Sequence, residues 1–388
     1  MNNQSSKHIV VFSSIFDDWG GSEELWALAI PYLIEAGHRV SVVKDKIKRT
    51  HPSFVKLANV GVQLVDLSSR ADRIKKLLYI TSKPFENKIK LPVRTLNEQY
   101  ADKIASLQPD YVIVGQGVNF DGLLMADEIR QKGIPYFVIA QKAVEFFWPH
   151  KIYRAAMRQA LLAAKQSYFV SKHNLTLTQD QFGCVIPNAT VVFNPIKLGD
   201  RLQPMPPTEP HFRLACVGRL FLLDKGQDIL IRILSKDTWK NRPILVNFIG
   251  HGVDDESLQE MARYLGVTNV EFSGFQGNMD QVWAQHHGLI LPSRAEGMPL
   301  AMLEAMAMSR TVIVSTAGGN AEIVTDGVNG FIGECGEQSF EAAMERAWEQ
   351  RANWPAIAEK ARETVLREVP AKPEQTFANL LLVQMLLD

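Results

Sequence analysis

Short apolar runs recur along this chain. Each is closed by a polar or glycine-containing break and followed by a stretch whose apolar positions repeat at helical spacing. The run from His8 to Ile15 predicts a first buried strand. Through the loop Phe16-Asp17-Asp18-Trp19-Gly20-Gly21-Ser22-Glu23-Glu24 it leads to an amphipathic helix ending about Glu35, then to a strand over Arg39–Val43. That is a βαβ unit, and Ser22 is placed to cap its helix. Further runs at Tyr111–Val114, Tyr136–Ala140, Ser167–Val170 and Thr190–Phe193 continue the series, with a helix over Tyr153–Ala164 and Ser171 at a probable cap. A stretch with Pro204, Pro206, Pro207 and Pro210 then interrupts it, too rich in proline for a helix or a central strand. Beyond it the alternation resumes: strands at Phe212–Val217, Ile244–Gly250, from Val270, at Leu289–Leu291 and at Thr311–Ser315, with helices over Gln227–Leu234, Asp254–Tyr264, Glu337–Arg351, Trp354–Val369 and Glu374–Leu387. Two α/β domains of parallel sheet, joined by a proline-rich linker, are the predicted architecture.

Composition agrees with that reading. A chain of 388 residues with 46% hydrophobic content is too long for one compact core. Lys plus Arg and Asp plus Glu each number 42, which argues against a general nucleic-acid-binding protein. Cys184, Cys216 and Cys335 are far apart and form no Cys-x-x-Cys, so a reducing cytosol is expected rather than a disulfide framework or a structural zinc site. The run from Ile9 to Phe16 is too short to span a membrane and is ended by Asp17-Asp18.

Candidate chemistry gathers at predicted strand ends. Gly20 and Gly21 would let backbone approach a ligand closely, although the loop is not Gly-x-Gly-x-x-Gly. The loop Gly218 to Gly226 carries Arg219, a planar donor fork, and Lys225, a compact charge; together they suit a diphosphate. The run Pro292-Ser-Arg-Ala-Glu296-Gly297-Met298-Pro299-Leu300 passes from a strand into a Leu/Met/Ala-rich helix whose N-terminus favours an anion. Glu296 lies in that loop and Glu304 about one turn inside the helix. A loop carboxylate beside a phosphate contacts hydroxyls, since charge repels it from the phosphate itself. His251, His286 and His287 are expected at the surface or packed rather than as ligands, and no metal-binding motif is present.

Glu296, seven intervening residues and Glu304, within Pro-Ser-x-x-Glu-Gly-x-Pro-Leu, resemble the signature of retaining, nucleotide-sugar-dependent glycosyltransferases of family 4, which have the GT-B fold. Gly318-Gly319-Asn320-Ala321-Glu322 resembles the glycine-glycine and glutamate run of the same family, with Glu322 expected to be structural. The resemblance implies two Rossmann-like domains across a cleft: residues 1–197 on the acceptor side, 198–370 holding the nucleotide sugar, and a terminal helix in 371–388 crossing back to the first domain. It implies a hexose moved from a UDP- or GDP-sugar to a hydroxyl of a glycan or lipid-linked glycan, with the donor as substrate, no cofactor and no metal. Arg219 and Lys225 would bind the pyrophosphate, Phe275 would lie by the base, Glu304 would hold the ribose, and Glu296 would position the sugar. Gly20 and Gly21 would approach from the other domain. Many relatives end the strand corresponding to Tyr136–Ala140 with a histidine near the reacting sugar; here that position is Gln141, a positioning group without acid or base chemistry near neutral pH.

Gln141 keeps a different class open, a catalytically silent partner that binds nucleotide sugar in polysaccharide assembly, and weakens a third, a GT-B epimerase; a Rossmann dehydrogenase lacks its fingerprint. Two segments suggest contact with the cytoplasmic face of a membrane or with an anionic acceptor. One is the basic stretch Arg70, Arg73, Lys75, Lys76, Lys83, Lys88, Lys90 and Arg94; the other is the aromatic run Phe146-Phe147-Trp148.

Overall fold

The computed structural model describes residues 5–15, 17–68, 95–196 and 202–387. The basic stretch Arg70 to Arg94 and the boundary placed between residues 197 and 198 lie outside the described residues.

Two wholly parallel sheets organise the described chain. The first runs β3-β2-β1-β4-β5-β6-β7, with β1 His8–Ser13, β2 Arg39–Lys44, β3 Gln63–Asp66, β4 Tyr111–Gly115, β5 Tyr136–Ala140, β6 Gln166–Phe169 and β7 Ala189–Val191. The second runs β10-β9-β8-β11-β12-β13, with β8 Phe212–Val217, β9 Ile244–Ile249, β10 Val270–Gly274, β11 Gly288–Leu291, β12 Thr311–Ser315 and β13 Phe331–Gly333. Helices cover both faces of a parallel sheet, which is why the central strands are continuous apolar runs: every residue of β1, β4, β5, β11 and β12 is buried.

The first domain has an apolar core on each face of its sheet. One of them also takes in Phe377, Ala378, Leu381 and Met385 of the terminal helix Pro373–Leu386. That helix lies on Glu24–Glu35, sets Phe377 edge-on to Tyr168 at 5.0 Å, and accepts a hydrogen bond at the Met385 carbonyl from Tyr111 Oη at 3.4 Å.

Strand order reverses between β1 and β4 in one sheet and between β8 and β11 in the other. Loops at the carboxyl ends of strands diverge at such a switch point and leave a crevice. In the first domain the crevice carries the Gly20-Gly21 loop, and in the second the loops 218–226 and 292–299.

Candidate functional site at the interdomain cleft

The wall from the second domain rests on backbone packed too closely for side chains. Gly226 has φ +61°, and a Cβ on it would fall 2.2 Å from the Pro292 carbonyl oxygen, so only glycine lets the loop after β8 press against the loop after β11. The Asp224 carbonyl completes the junction by accepting from Arg294 N at 2.7 Å and Ala295 N at 2.9 Å. Burial alone would push the Asp228 carboxyl up, but the Arg294 fork on it, at 2.7 and 2.9 Å, holds it below the usual range. These contacts bring Lys225 Nζ to 2.6 Å from Glu296 Oε1. Ser293 Oγ donates to the same oxygen at 2.7 Å, and the Ser293 carbonyl is held by Ser315 Oγ at 2.6 Å. Glu296 is thus a buried carboxylate with a fixed direction. Glu304, also buried, sits one turn inside the helix Leu300–Ala307, whose N-cap is Pro299.

The wall from the first domain is held by an ion pair. Glu23, wholly buried, accepts from Ser13 Oγ at 2.7 Å, Gly20 N at 2.9 Å and Lys44 Nζ at 3.0 Å. Lys44, at the end of β2, is equally buried and also donates to the Asp17 carbonyl at 2.7 Å. The pair ties both ends of the glycine loop to the sheet. Burial pushes the Glu23 carboxyl up, against the pull of Lys44. Ser22 caps nothing, contrary to the expectation from sequence. Gly20 starts a short 3-10 turn, Gly21–Glu23, ahead of the helix, and the Glu23 side chain folds back to take the Gly20 N–H.

The two walls meet at several points. A Cβ on Gly21 would lie 3.5 Å from Leu300 Cδ1, and one on Gly297 only 1.9 Å from the Gln141 carbonyl oxygen. Lys142 Nζ reaches Asp224 Oδ2 at 2.5 Å, and Arg219 reaches Asp17 at 3.4 Å with both side chains largely exposed. Glu322 crosses over to cap the helix Lys172–Phe182, accepting from Lys172 N at 3.1 Å and His173 N at 2.7 Å. Its carboxylate occupies the positive end of that helix.

Of the residues predicted from sequence, Gly20, Gly21, Arg219, Lys225, Glu296, Gly297, Met298, Pro299 and Leu300 therefore belong to segments that meet at the domain junction, with Gln141 against Gly297 and Glu304 one turn inside the helix that follows. Gln141 meets the opposite loop through its carbonyl, while its side chain accepts from Asn194 Nδ2 at 2.7 Å. Phe275, on the loop after the edge strand β10, is exposed and donates its N–H to His251 Nε2 at 3.3 Å, while the His251 carbonyl accepts from Leu220 N of the loop after β8 at 3.0 Å. His286 and His287 are buried and their pKa values are lowered by burial. Sequence reasoning gave no role to Glu23, Lys44, Lys142 or Asp224. A lysine ending an apolar strand was the one visible signal for Lys44, and its partner lies 21 positions away.

Comparison with known proteins adds a family to this geometry. Residues 211–350 match the family model described as glycosyl transferases group 1. The second half of the chain carries a group 1 glycosyltransferase domain. It contains both loops that build the Lys225–Glu296 pair. The putative glycosyltransferase EpsD of Bacillus subtilis is 29% identical over 171 residues, 43% of this chain and 44% of that protein. The GDP-mannose-dependent alpha-(1-6)-phosphatidylinositol monomannoside mannosyltransferase of Mycolicibacterium smegmatis is 28% identical over 233 residues, 54% of this chain and 59% of that protein. The chain thus spans about half the length of these relatives. The crystal structure of Anabaena Alr3699/HepE in complex with UDP superposes with TM-score 0.72 at 18% identity, covering 97% of this chain and 99% of that one. The paired Rossmann-like domains around the group 1 domain are the GT-B fold.

Proposed function

We propose that the protein is a retaining glycosyltransferase that moves a hexose from a UDP- or GDP-sugar to a hydroxyl of a glycan or lipid-linked glycan. The observation that carries the reading is the Lys225–Glu296 pair, set just before the helix Leu300–Ala307, whose first residue faces Gly21 of the other domain. The relatives support the substrate class: one is named as using GDP-mannose, and a neighbour of the same fold is described with UDP bound.

Lys225, Arg219 and the first N–H groups of Leu300–Ala307 hold the diphosphate, Glu304 the ribose and Glu296 the sugar hydroxyls. The bond between the anomeric carbon and the diphosphate oxygen breaks, and the acceptor oxygen bonds to that carbon on the same face. The acceptor proton passes to the departing diphosphate, so no side-chain base is needed and Gln141 is compatible with turnover. The products are the extended glycan and a nucleoside diphosphate. Charge stabilisation by Arg219 and Lys225 makes the reaction metal-independent and leaves the enzyme without a cofactor.

The test is transfer measured by mass across a panel of UDP- and GDP-sugars with host glycan and lipid extracts, with and without a chelator. A product with the donor's anomeric configuration, read by NMR, and turnover unaffected by the chelator are expected. Tight donor binding with no transfer to any acceptor would replace this reading with a silent nucleotide-sugar-binding partner.

A further inference from the structure

We propose that the turn Phe146–Tyr153 and the basic face of the helix Arg154–Ala163 form a docking surface for an anionic phospholipid bilayer. The apolar side chains at issue point outward. Phe146, Phe147, Trp148, Ile152 and Tyr153 are all exposed, Trp148 to 62% and Ile152 to 69%. A loop that merely failed to bury its aromatics would have little holding it, whereas this one is fixed from beneath. Gln181, itself fully buried, donates from Nε2 to the carbonyls of Val144 at 2.8 Å and Phe147 at 2.7 Å. The Gln181 carbonyl in turn accepts from Arg154 Nε and Nη2 at 3.2 and 3.1 Å. The backbone of the turn is therefore anchored in the domain while its rings face solvent, a rigid display with little ordering left to do on binding.

Charge selects the occupant. From Phe146 to Lys165 the chain holds Lys151, Arg154, Arg158 and Lys165 and no Asp or Glu, in a protein whose acidic and basic residues are equal in number. Lys151 and Arg158 are exposed. Of the carboxylates around it, Glu145 is engaged with His173 at 3.0 Å and Asp127 with Arg130 at 2.9 Å, and the exposed Asp180 beside Gln181 is one negative charge against the four cations. A sugar stacks its C–H face on a ring such as Trp148 but makes no directional bond to Phe146, Phe147 or Ile152, so an anionic glycan would use the cations and a ring and leave the rest of the apolar patch in water. A bilayer of anionic lipid uses both, the rings entering the headgroup boundary and the cations meeting the phosphates. Phe146 also follows closely on Gln141, so docking here would bring the cleft to the membrane surface.

This surface is independent of the transfer reaction, because vesicle binding is read with no donor present. The full chain is floated with vesicles of phosphatidylcholine alone and of phosphatidylcholine with phosphatidylglycerol. Apparent affinity about tenfold or more higher for the anionic vesicles is expected, falling as salt rises from about 0.05 to about 0.5 M. Lys151→Glu with Arg158→Glu should remove the preference for phosphatidylglycerol. Phe147→Ala with Trp148→Ala should remove most binding to both vesicle types, with thermal unfolding unchanged because these side chains are exposed. Lys360→Glu, an exposed charge reversal on the other domain, should change nothing. Absence of wild-type flotation, equal flotation on neutral vesicles, or loss of flotation with Lys360→Glu equal to that of the double reversal would overturn the proposal.

Discussion

The two walls of the cleft are built on different principles. The wall of the second domain rests on close backbone contact: glycines at 226 and 297 remove side chains where another loop must touch the backbone, Lys225 reaches Glu296 across 71 positions, and Ser293 orients that carboxylate from three residues away. The wall of the first domain rests on buried polar side chains paired with one another. Lys44 reaches back to Glu23 and Asp17, Gln141 meets Asn194, and Asn119 meets Gln181. The glycines and the Glu296 loop of the second wall stand in recognisable runs of sequence, and the family model matches residues 211–350. The polar pairs of the first wall stand in no such run, even where they are more deeply buried.

The largest effect expected from this contrast belongs to a residue outside any motif. Lys44→Met strands the Glu23 carboxylate in a site that already disfavours its charge, and breaking a buried pair costs about 3–5 kcal/mol. Chemical unfolding measures the loss. The double variant Lys44→Met with Glu23→Gln should recover much of it, since no charge is then left alone. Bare UDP or GDP should still bind, because the residues proposed to hold the diphosphate lie on the other wall, while transfer falls. A single-variant loss below about 1 kcal/mol would mean the glycine loop does not depend on the pair.

Effects on the second-domain wall should be smaller in stability and larger in ligand binding. Lys225→Ala is expected to weaken UDP or GDP binding by about 1.5–3 kcal/mol by calorimetry, the scale of charge-assisted hydrogen bonds. Arg219→Ala should do less, since its side chain is largely exposed and its contact with Asp17 is long. Glu304→Ala should weaken the bare nucleotide, whereas Glu296→Ala should chiefly lower turnover and sugar-dependent affinity. Equal losses for nucleotide and nucleotide sugar in both glutamate variants would contradict that division.

Legibility in the sequence followed the same line. Strands buried on both faces, such as Tyr136–Ala140 and Thr311–Ser315, have the bounds their apolar runs predict. The half-buried strand Gln63–Asp66 and the helices Leu96–Ser106 and Leu123–Gln131 were not foreseen, because edge and surface elements carry mixed patterns. The strand expected at Thr190–Phe193 begins and ends earlier, at Ala189–Val191, where pairing with β6 fixes it. Glu322 could be seen as structural, but not that it caps a helix of the other domain. A cap supplied across a cleft has no sequence spacing to betray it.

The smallest effect tests that cap region through pH. His173 Nε2 lies 3.0 Å from Glu145 Oε1 and beside Glu322, whose carboxylate caps the helix His173 opens. The hydrogen bond to Glu145 raises the His173 pKa above 6.5, and the same bond lowers that of Glu145 below 4.5. The signs give a window. The histidine's contribution is complete below 6.5 and is lost as pH rises through its folded value; the glutamate's is complete above 4.5 and is lost as pH falls through its own. Stability from the pair is therefore greatest between those limits and declines on the alkaline side of 6.5. Both side chains are partly exposed, so the amount is about 0.2–1 kcal/mol. Thermal unfolding of wild type and Glu145→Gln at a series of pH values should show curves that are farthest apart between 4.5 and 6.5 and converge as pH rises beyond 6.5. A constant separation across that range would mean that Glu145 acts through packing, and that the first-domain side of this junction does not titrate.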